Sequence, residues 1–250
     1  MFDGDWVTIG MGAGYSPSYT GSDDYRPFPL PIVQGELAGI GFSPLGPGLA
    51  LDFLTGEEKG LDISLGPAFR LRSDRADDIE DPIVELAGEL DRAVEVGVAA
   101  GITKRGIGTR RDSLSFNLGA RADVAGAHDG IIVEPSISYF APLDRGTVVS
   151  FSLNASIIDD NYADYYFSVS PAQSAVSGLP QFSADGGLQS VGTSVFIAYD
   201  LDGNALNGGL SAVFIGSYSR LLGDAADTPY TSLRGNADQL FAGVGLGYTF

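Results

Sequence analysis

The sequence predicts an all-β chain folded as a single antiparallel transmembrane β-barrel domain, residues 1–250, of about twelve strands in an up-and-down meander. Three observations predict it. Apolar and small polar residues alternate along most of the chain, which is the two-residue period of a strand with two unlike faces. Glycine is 35 of 250 residues, about twice the usual share. The lysines are only two, Lys59 and Lys104, where water-facing sheets favour lysine and glutamate.

Taken in order, the alternating segments are 5–16, 27–41, 47–54, 60–72, 90–104, 110–124, 130–141, 146–157, 162–170, 186–200, 206–219 and 237–250. In 60–72, Leu61, Ile63, Leu65, Phe69 and Leu71 interleave with Asp62, Ser64, Gly66, Arg70 and Arg72. In 110–124, Leu114, Phe116, Leu118, Ala120 and Ala122 interleave with Ser115, Asn117, Gly119 and Arg121. In 146–157, Val149, Phe151, Leu153 and Ala155 interleave with Ser150, Ser152 and Asn154. These runs are about twice an ordinary strand and suit the tilted nine to eleven residues that cross a bilayer. Segment 27–41 is weakened by Pro27, Pro29 and Pro31, and 162–170 is short, so ten strands is the other count the pattern allows. Turn signals at Ser43-Pro44-Leu45-Gly46, Asp129-Gly130, Asp144-Arg145-Gly146 and Asp202-Gly203 separate the runs. The acidic stretch 73–91 does not alternate and is expected to be a long connection, with a short helix after Pro82 as the other reading.

Composition removes several classes of function. Against 14 basic side chains stand 32 acidic ones, a net charge of −18 that repels nucleic acid. With no cysteine and one histidine, His128, the chain has no disulfides, no thiolate metal site and no multi-histidine zinc site. No apolar run approaches the 18 or so residues of a spanning helix. The start, MFDGDWVTIG, lacks a basic region followed by an apolar stretch, so a mature chain without signal peptide is expected.

Period two does not say whether the apolar face meets a core or lipid. The polar face does: it is small and glycine-rich, as at Gly10, Gly12, Gly14, Gly243, Gly245 and Gly247, with scattered charges Asp62, Arg70, Arg72, Glu95, Arg121 and Glu134 that could pair inside a narrow lumen. Aromatic residues at strand ends are the expected interface belts. If the first strand leaves the periplasmic side, Tyr15, Phe28, Tyr139 and Tyr218 fall at the outer end. Phe69, Tyr199, Tyr248 and Phe250 then fall at the inner end, with Trp6 an inner anchor.

Several stretches resemble the MipA/OmpV family of outer-membrane proteins. GAGYSPSYTGSDDY at the N-terminus, PFPLPIVQ at 27–34, RLRSDRADD at 70–78, LDRAVEVG at 90–97, SRLLGDAADTPYT at 219–231 and FAGVGLGYTF at 241–250 follow the family's order. The resemblance implies the outer membrane of a Gram-negative bacterium, contact with lipopolysaccharide, and a non-enzymatic role. It further implies scaffolding between a murein transglycosylase and a murein synthase. The last strand, with Ala242, Val244, Leu246, Tyr248 and Phe250 on one face, also resembles the signal read by the barrel-insertion machinery.

No catalytic residue, cofactor or metal site is expected. His128 in AGAHDG falls in a short inner-side turn on the strand count, and Asp200-Leu-Asp-Gly-Asn204 lacks the glutamate that would complete a calcium loop. The candidate periplasmic partner segment is 73–91, through Asp74, Asp77, Asp78, Glu80, Asp81, Glu85 and Glu89, whose charge would steer a basic partner. The alternatives are a small pore or a surface or adhesive protein acting through 17–26, 171–185 and 220–236. A lipid-modifying enzyme would depend on His128.

Overall fold

The computed structural model describes residues 4–54, 57–58, 60–205 and 207–250. Its strands are β1 (Trp6–Pro17), β2 (Tyr25–Leu37), β3 (Ile40–Pro44), β4 (Gly48–Asp52), β5 (Glu57–Glu58), β6 (Leu61–Arg72) and β7 (Ala93–Arg105). Then follow β8 (Ser113–Asp123), β9 (Ile131–Pro142), β10 (Thr147–Ile158), β11 (Gly187–Asp200), β12 (Gly209–Leu221) and β13 (Asp238–Thr249). Each pairs antiparallel with its chain neighbour from β6 to β13; β13 returns to β1, and β4 closes the wall on β6. Twelve strands make the barrel, and the two-residue β5 is a short rung beside β6. Closure leaves nearly every strand with two partners, as backbone groups in hydrocarbon require.

The faces are inverted relative to a water-soluble protein. Leu65, Phe116, Leu153 and Val244 lie about half exposed on the outside, whereas Glu95 and Arg121 are buried within. Ser64, Asn117, Ser152 and Asn154 line the interior. Side chains that would cost least in lipid therefore face outward, and the polar set is enclosed.

Both termini sit at one end of the barrel, since Thr8 pairs with Thr249. That end carries the tight turn Ala38-Gly39, the short rung β5, the connections 106–112 and 143–146, and the described residues 201–205 and 207–208 between β11 and β12. The opposite end carries 18–24, 73–92, 124–130, 159–186 and 222–237, which hold helices α1 (Pro82–Leu86), α2 (Asp160–Phe167), α3 (Pro171–Ser177), α4 (Asp224–Asp227) and α5 (Pro229–Ser232). These fold over the barrel mouth as a cap with two ordinary hydrophobic clusters. One gathers Tyr162, Tyr166, Phe167, Ile132 and Leu221, the other Tyr19, Val84, Val169, Leu179 and Tyr230. Among the described residues, both clusters of buried apolar side chains thus gather at the part that stands in water.

Two elements differ from the sequence reading, and they explain one another. Segment 27–41 is a hairpin: Ala38 and Gly39 both adopt left-handed φ (52° and 77°), the pattern of a two-residue turn, and the Ala38 N–H donates to the Asp5 carboxylate at 2.8 Å. Alanine in place of asparagine hides that turn. Segment 162–170 is not a strand; Asp159 caps α2 by accepting from the Tyr162 N–H, and Tyr162, Ala163, Tyr166 and Phe167 form its buried stripe. Missing the first turn reverses every strand direction from residue 40 onward, and the false strand restores it. Phe69, Tyr139, His128 and the 73–91 stretch all lie in the reversed interval. The structure places Phe69 near the capped end and Tyr139 near the termini, each opposite to expectation.

Candidate functional site

Below the cap, charged side chains from four adjacent strands meet in the lumen. Arg72 on β6 donates to Glu95 on β7 at 2.5 Å, and Arg121 on β8 donates to the same carboxylate at 3.3 Å. Arg121 also donates to Glu134 on β9, which receives Arg70 from β6 at 3.2 Å. Three arginines thus face two glutamates, and the lumen level is positive in a chain whose net charge is −18. Diagonal cross-strand spacing makes the network possible, because inward residues two apart on neighbouring strands come within reach of long side chains.

The cap rests on this network. The Arg72 guanidinium carbon lies 5.2 Å from the Tyr162 ring centre, and His128 packs 4.9 Å from the same ring. His128 Nε2 stands 3.6 Å from Glu95, and its Nδ1 accepts from the Gly130 N–H. His128 therefore lies buried at the capped end, not in a turn beside the termini as its sequence position suggested. Burial also pushes the Tyr162 and Tyr166 hydroxyls well above the usual phenol range.

On the terminal side of the charges, a cavity of about 1030 Å³ is lined by Ser64, Asn117, Ser136, Ser152, Asn154 and Ser194. Between the charges and the cap, a second cavity of about 450 Å³ is lined by Arg26, Arg70, Arg72, Glu134, Gln189 and Phe241 among others. Both touch Glu134, Ser156, Ser190, Ser217 and Ser219, so polar surface runs continuously past the charged level.

The acidic residues of 73–91 serve the cap itself. Asp81 accepts from the Ile83 and Val84 N–H groups at the start of α1 and from Arg234 at 2.7 Å. Burial alone would raise the Asp81 carboxyl, but Arg234 and the two N–H groups hold it below the usual carboxylate range. Asp74 accepts from the Thr20 N–H, Asp77 pairs with Arg92, and Asp78 pairs with Arg26 at 2.7 Å. Glu80, Glu85 and Glu89 are exposed in the same connection. The sequence showed this charge but not its partners, which include residues 20, 26, 92 and 234. Similarly, the Asp200 carboxylate accepts from the Asp202 and Asn204 N–H groups, which makes 200–204 a self-bonded turn.

Of the aromatic residues expected at the membrane interface, Tyr15, Phe69, Tyr139, Tyr199, Tyr218 and Tyr248 lie on the outer face. Two do not. Trp6 points inward and lines the lumen mouth, and Phe28 points inward over Gly14. Both sit on the parity of β1 and β2 opposite to Tyr15, Met11 and Pro29. Ala242, Val244, Leu246 and Tyr248 share the outer face of β13, and Phe250 follows on the same side.

A closed antiparallel barrel with an apolar exterior, a polar lumen and a capped mouth defines an outer-membrane β-barrel protein. A family model described as MltA-interacting protein MipA matches residues 9–250, and the chain belongs to that family. A curated relative named "Putative outer membrane protein YiaT" from Escherichia coli O157:H7 is 28% identical over 181 residues, covering 71% of this chain and 68% of the relative. The same-named protein of Escherichia coli K12 is 26% identical over 180 residues, with the same coverage. Among solved structures, an outer membrane channel from Pseudomonas putida F1 superposes with a TM-score of 0.50 at 12% identity, covering 99% of this chain and 96% of that one. The chain is an outer-membrane protein of a Gram-negative bacterium.

Outer-membrane barrels keep short turns on the periplasmic side and long loops outside. The capped end of this barrel is therefore its outward end, and the terminal end its periplasmic end. That corrects the expected position of 73–91: Asp74, Asp77, Asp78, Glu80, Asp81, Glu85 and Glu89 stand at the capped end, opposite the termini.

Proposed function

We propose that this barrel is non-enzymatic and acts as a scaffold that holds a murein transglycosylase, and through it a murein synthase, beneath the outer membrane. The observation that carries the reading is the family itself, described by its interaction with MltA. The geometry supports it in two ways. The outward mouth is roofed by helices with their own hydrophobic clusters, and the lumen charges are engaged with one another. His128 is buried between Glu95 and Tyr162, away from any surface where a substrate would arrive.

With 73–91 on the outer side, the partner surface falls to the periplasmic turns. Arg110 and Arg111 in 106–112 and Arg145 in 143–146 are exposed there and line a cavity of about 590 Å³ with Asp62 and Asp144. Capture of an MltA-type transglycosylase by the purified barrel tests the reading. Wild type is expected to retain it, the triple variant R110E/R111E/R145E to lose it, and D77N/D78N/E80Q to keep it. Absence of capture by wild type refutes the scaffold; unchanged capture by the triple variant refutes this surface. We also assign the outer face of β13, ending at Phe250, as the signal for the barrel-insertion machinery, and the outer rim as the contact with lipopolysaccharide.

A small pore is the second reading, favoured by the polar surface that runs past the charged level. Steady ion-selective steps in a planar bilayer would support it, and silence would support the scaffold.

A further inference from the structure

The barrel wall is incomplete on one side. Along one edge β2 pairs with β1 from Tyr25 through Glu36, but along the other it pairs with β3 only at Gly35–Leu37. On the far side of the interval, β6 pairs with β4 at Ala68–Arg70, extended by the Leu71 N–H donating to Pro47. Above the tip of the β3–β4 hairpin, among the described residues, no ladder joins β2 to β6.

The sequence is fitted to that opening. Pro27, Pro29 and Pro31 share one parity of β2, and none can donate to a neighbour. Their positions put three missing donors on the open edge, the place where a strand tolerates proline. The carbonyls of the same residues remain, and an unpaired edge at membrane depth persists only where it borders a wet cavity. A cavity of about 450 Å³ reaches this interval, lined by Arg26 at the upper end of β2 and by Pro47, Arg70, Leu71 and Arg72 across from it. Arg70 tucks beneath the hairpin tip at Gly46, and Arg26 ties the upper margin to Asp78 at 2.7 Å.

The interior beside the opening is unlike the serine-lined lumen elsewhere. Phe28 covers Gly14, Leu30 and Phe241 cover Gly243, and Ile32 covers Gly245, so glycines on β1 and β13 floor an apolar strip. Phe28 and Phe241 lie 6.1 Å apart between ring centres. An apolar strip thus adjoins the charged level where three arginines face two glutamates, and Phe241 belongs to both the strip and the cavity. The volume falls in the range of ordinary small-molecule sites.

We propose that this opening is a lateral portal for a single-chain amphiphile with an anionic head. The head, a carboxylate or phosphate, binds Arg70 with Arg26 and Arg72 nearby, and the chain lies along Phe28, Leu30, Ile32 and Phe241. The assignment does not depend on the scaffold reading.

The test uses the full barrel in zwitterionic lipid nanodiscs, with dansyl-undecanoate as fluorescent probe and heat-dependent gel mobility as the folding control. Wild type is expected to bind saturably. R70Q and F28E should each weaken binding at least about tenfold, one through the head and the other through the chain. If R70Q does not fold, R26Q serves in its place, because Asp78 is exposed and loses little when unpaired. Laurate and dodecyl phosphate should both displace the probe, their relative strength telling a fatty acid from a phospholipid-derived head, and inorganic phosphate should not. Absence of saturable binding by folded wild type, equal binding by the folded arginine and Phe28 variants, or displacement by inorganic phosphate alone would overturn the proposal.

Discussion

Replacing Glu95 by glutamine removes one of the two negative charges that hold the lumen network. The Glu95 side chain has no solvent exposure, Arg121 has 1% and Arg72 10%, so bulk water screens these pairs little. Two unit charges about 4 Å apart attract by about 4 kcal/mol at an effective dielectric near 20. Most of that gain offsets desolvation, but taking away one partner leaves the other charges buried, which costs about 3 to 5 kcal/mol. Glutamine keeps one acceptor for Arg72, so the lower end of that range, about 3 kcal/mol, is expected for E95Q. The double variant E95Q/R72M removes one stranded cation as well, and its cost should be smaller than the sum of the single costs by about 1 to 3 kcal/mol. Urea unfolding in detergent micelles, followed by circular dichroism and by the emission of the sole tryptophan, Trp6, measures both. An E95Q midpoint within about 0.5 kcal/mol of wild type, or strict additivity of the pair, would refute the view that the network is a single buried unit.

Three further outcomes follow from the same physics. Leu118→Arg, on the lipid face of β8, should cost about 2 to 4 kcal/mol, whereas Asn117→Arg, facing the lumen one residue away, should cost much less; equal costs would contradict the assignment of faces. Because the Asp81 carboxyl is held below its unfolded value, the stability it lends the cap is present above the ordinary carboxylate range near pH 4 and lost as pH falls through its folded value; protease sensitivity of the cap should therefore be flat from pH 5 to 8, rise below about 4, and lose this acid step in D81N. Deleting Phe250 should lower the yield of heat-modifiable barrel in the outer membrane without changing refolding into micelles in vitro, and an unchanged cellular yield would remove its role as an assembly signal.

The wall of the barrel was legible in the sequence because lipid and lumen impose opposite demands on alternate residues. Leu114–Asp123 alternates without interruption, and the structure follows it. The lumen pairs were also visible as isolated charges on a small-residue face, since Arg70, Arg72, Glu95, Arg121 and Glu134 all meet there. What stayed hidden was local or long-range. Ala38-Gly39 turns without a residue that advertises a turn, helped by Asp5 from 33 positions away. Tyr162 and Tyr166 belong to a helix because a cap core exists to receive them, against the intrinsic preference of aromatic residues for strands. These two local errors were enough to reverse the middle strands and to place 73–91 and His128 on the wrong side of the membrane. The prolines of β2 looked like damage to a strand; the register gives them an edge to occupy.

The central claim is the orientation of a capped barrel, and labelling intact cells tests it most directly. The chain has no cysteine, so single cysteines report without background. With a membrane-impermeant maleimide, Glu80→Cys and Gln173→Cys on the cap should label in intact cells, and Arg110→Cys and Arg145→Cys should label only after the outer membrane is opened. Labelling of the arginine positions from outside, with the cap positions protected, would contradict the account.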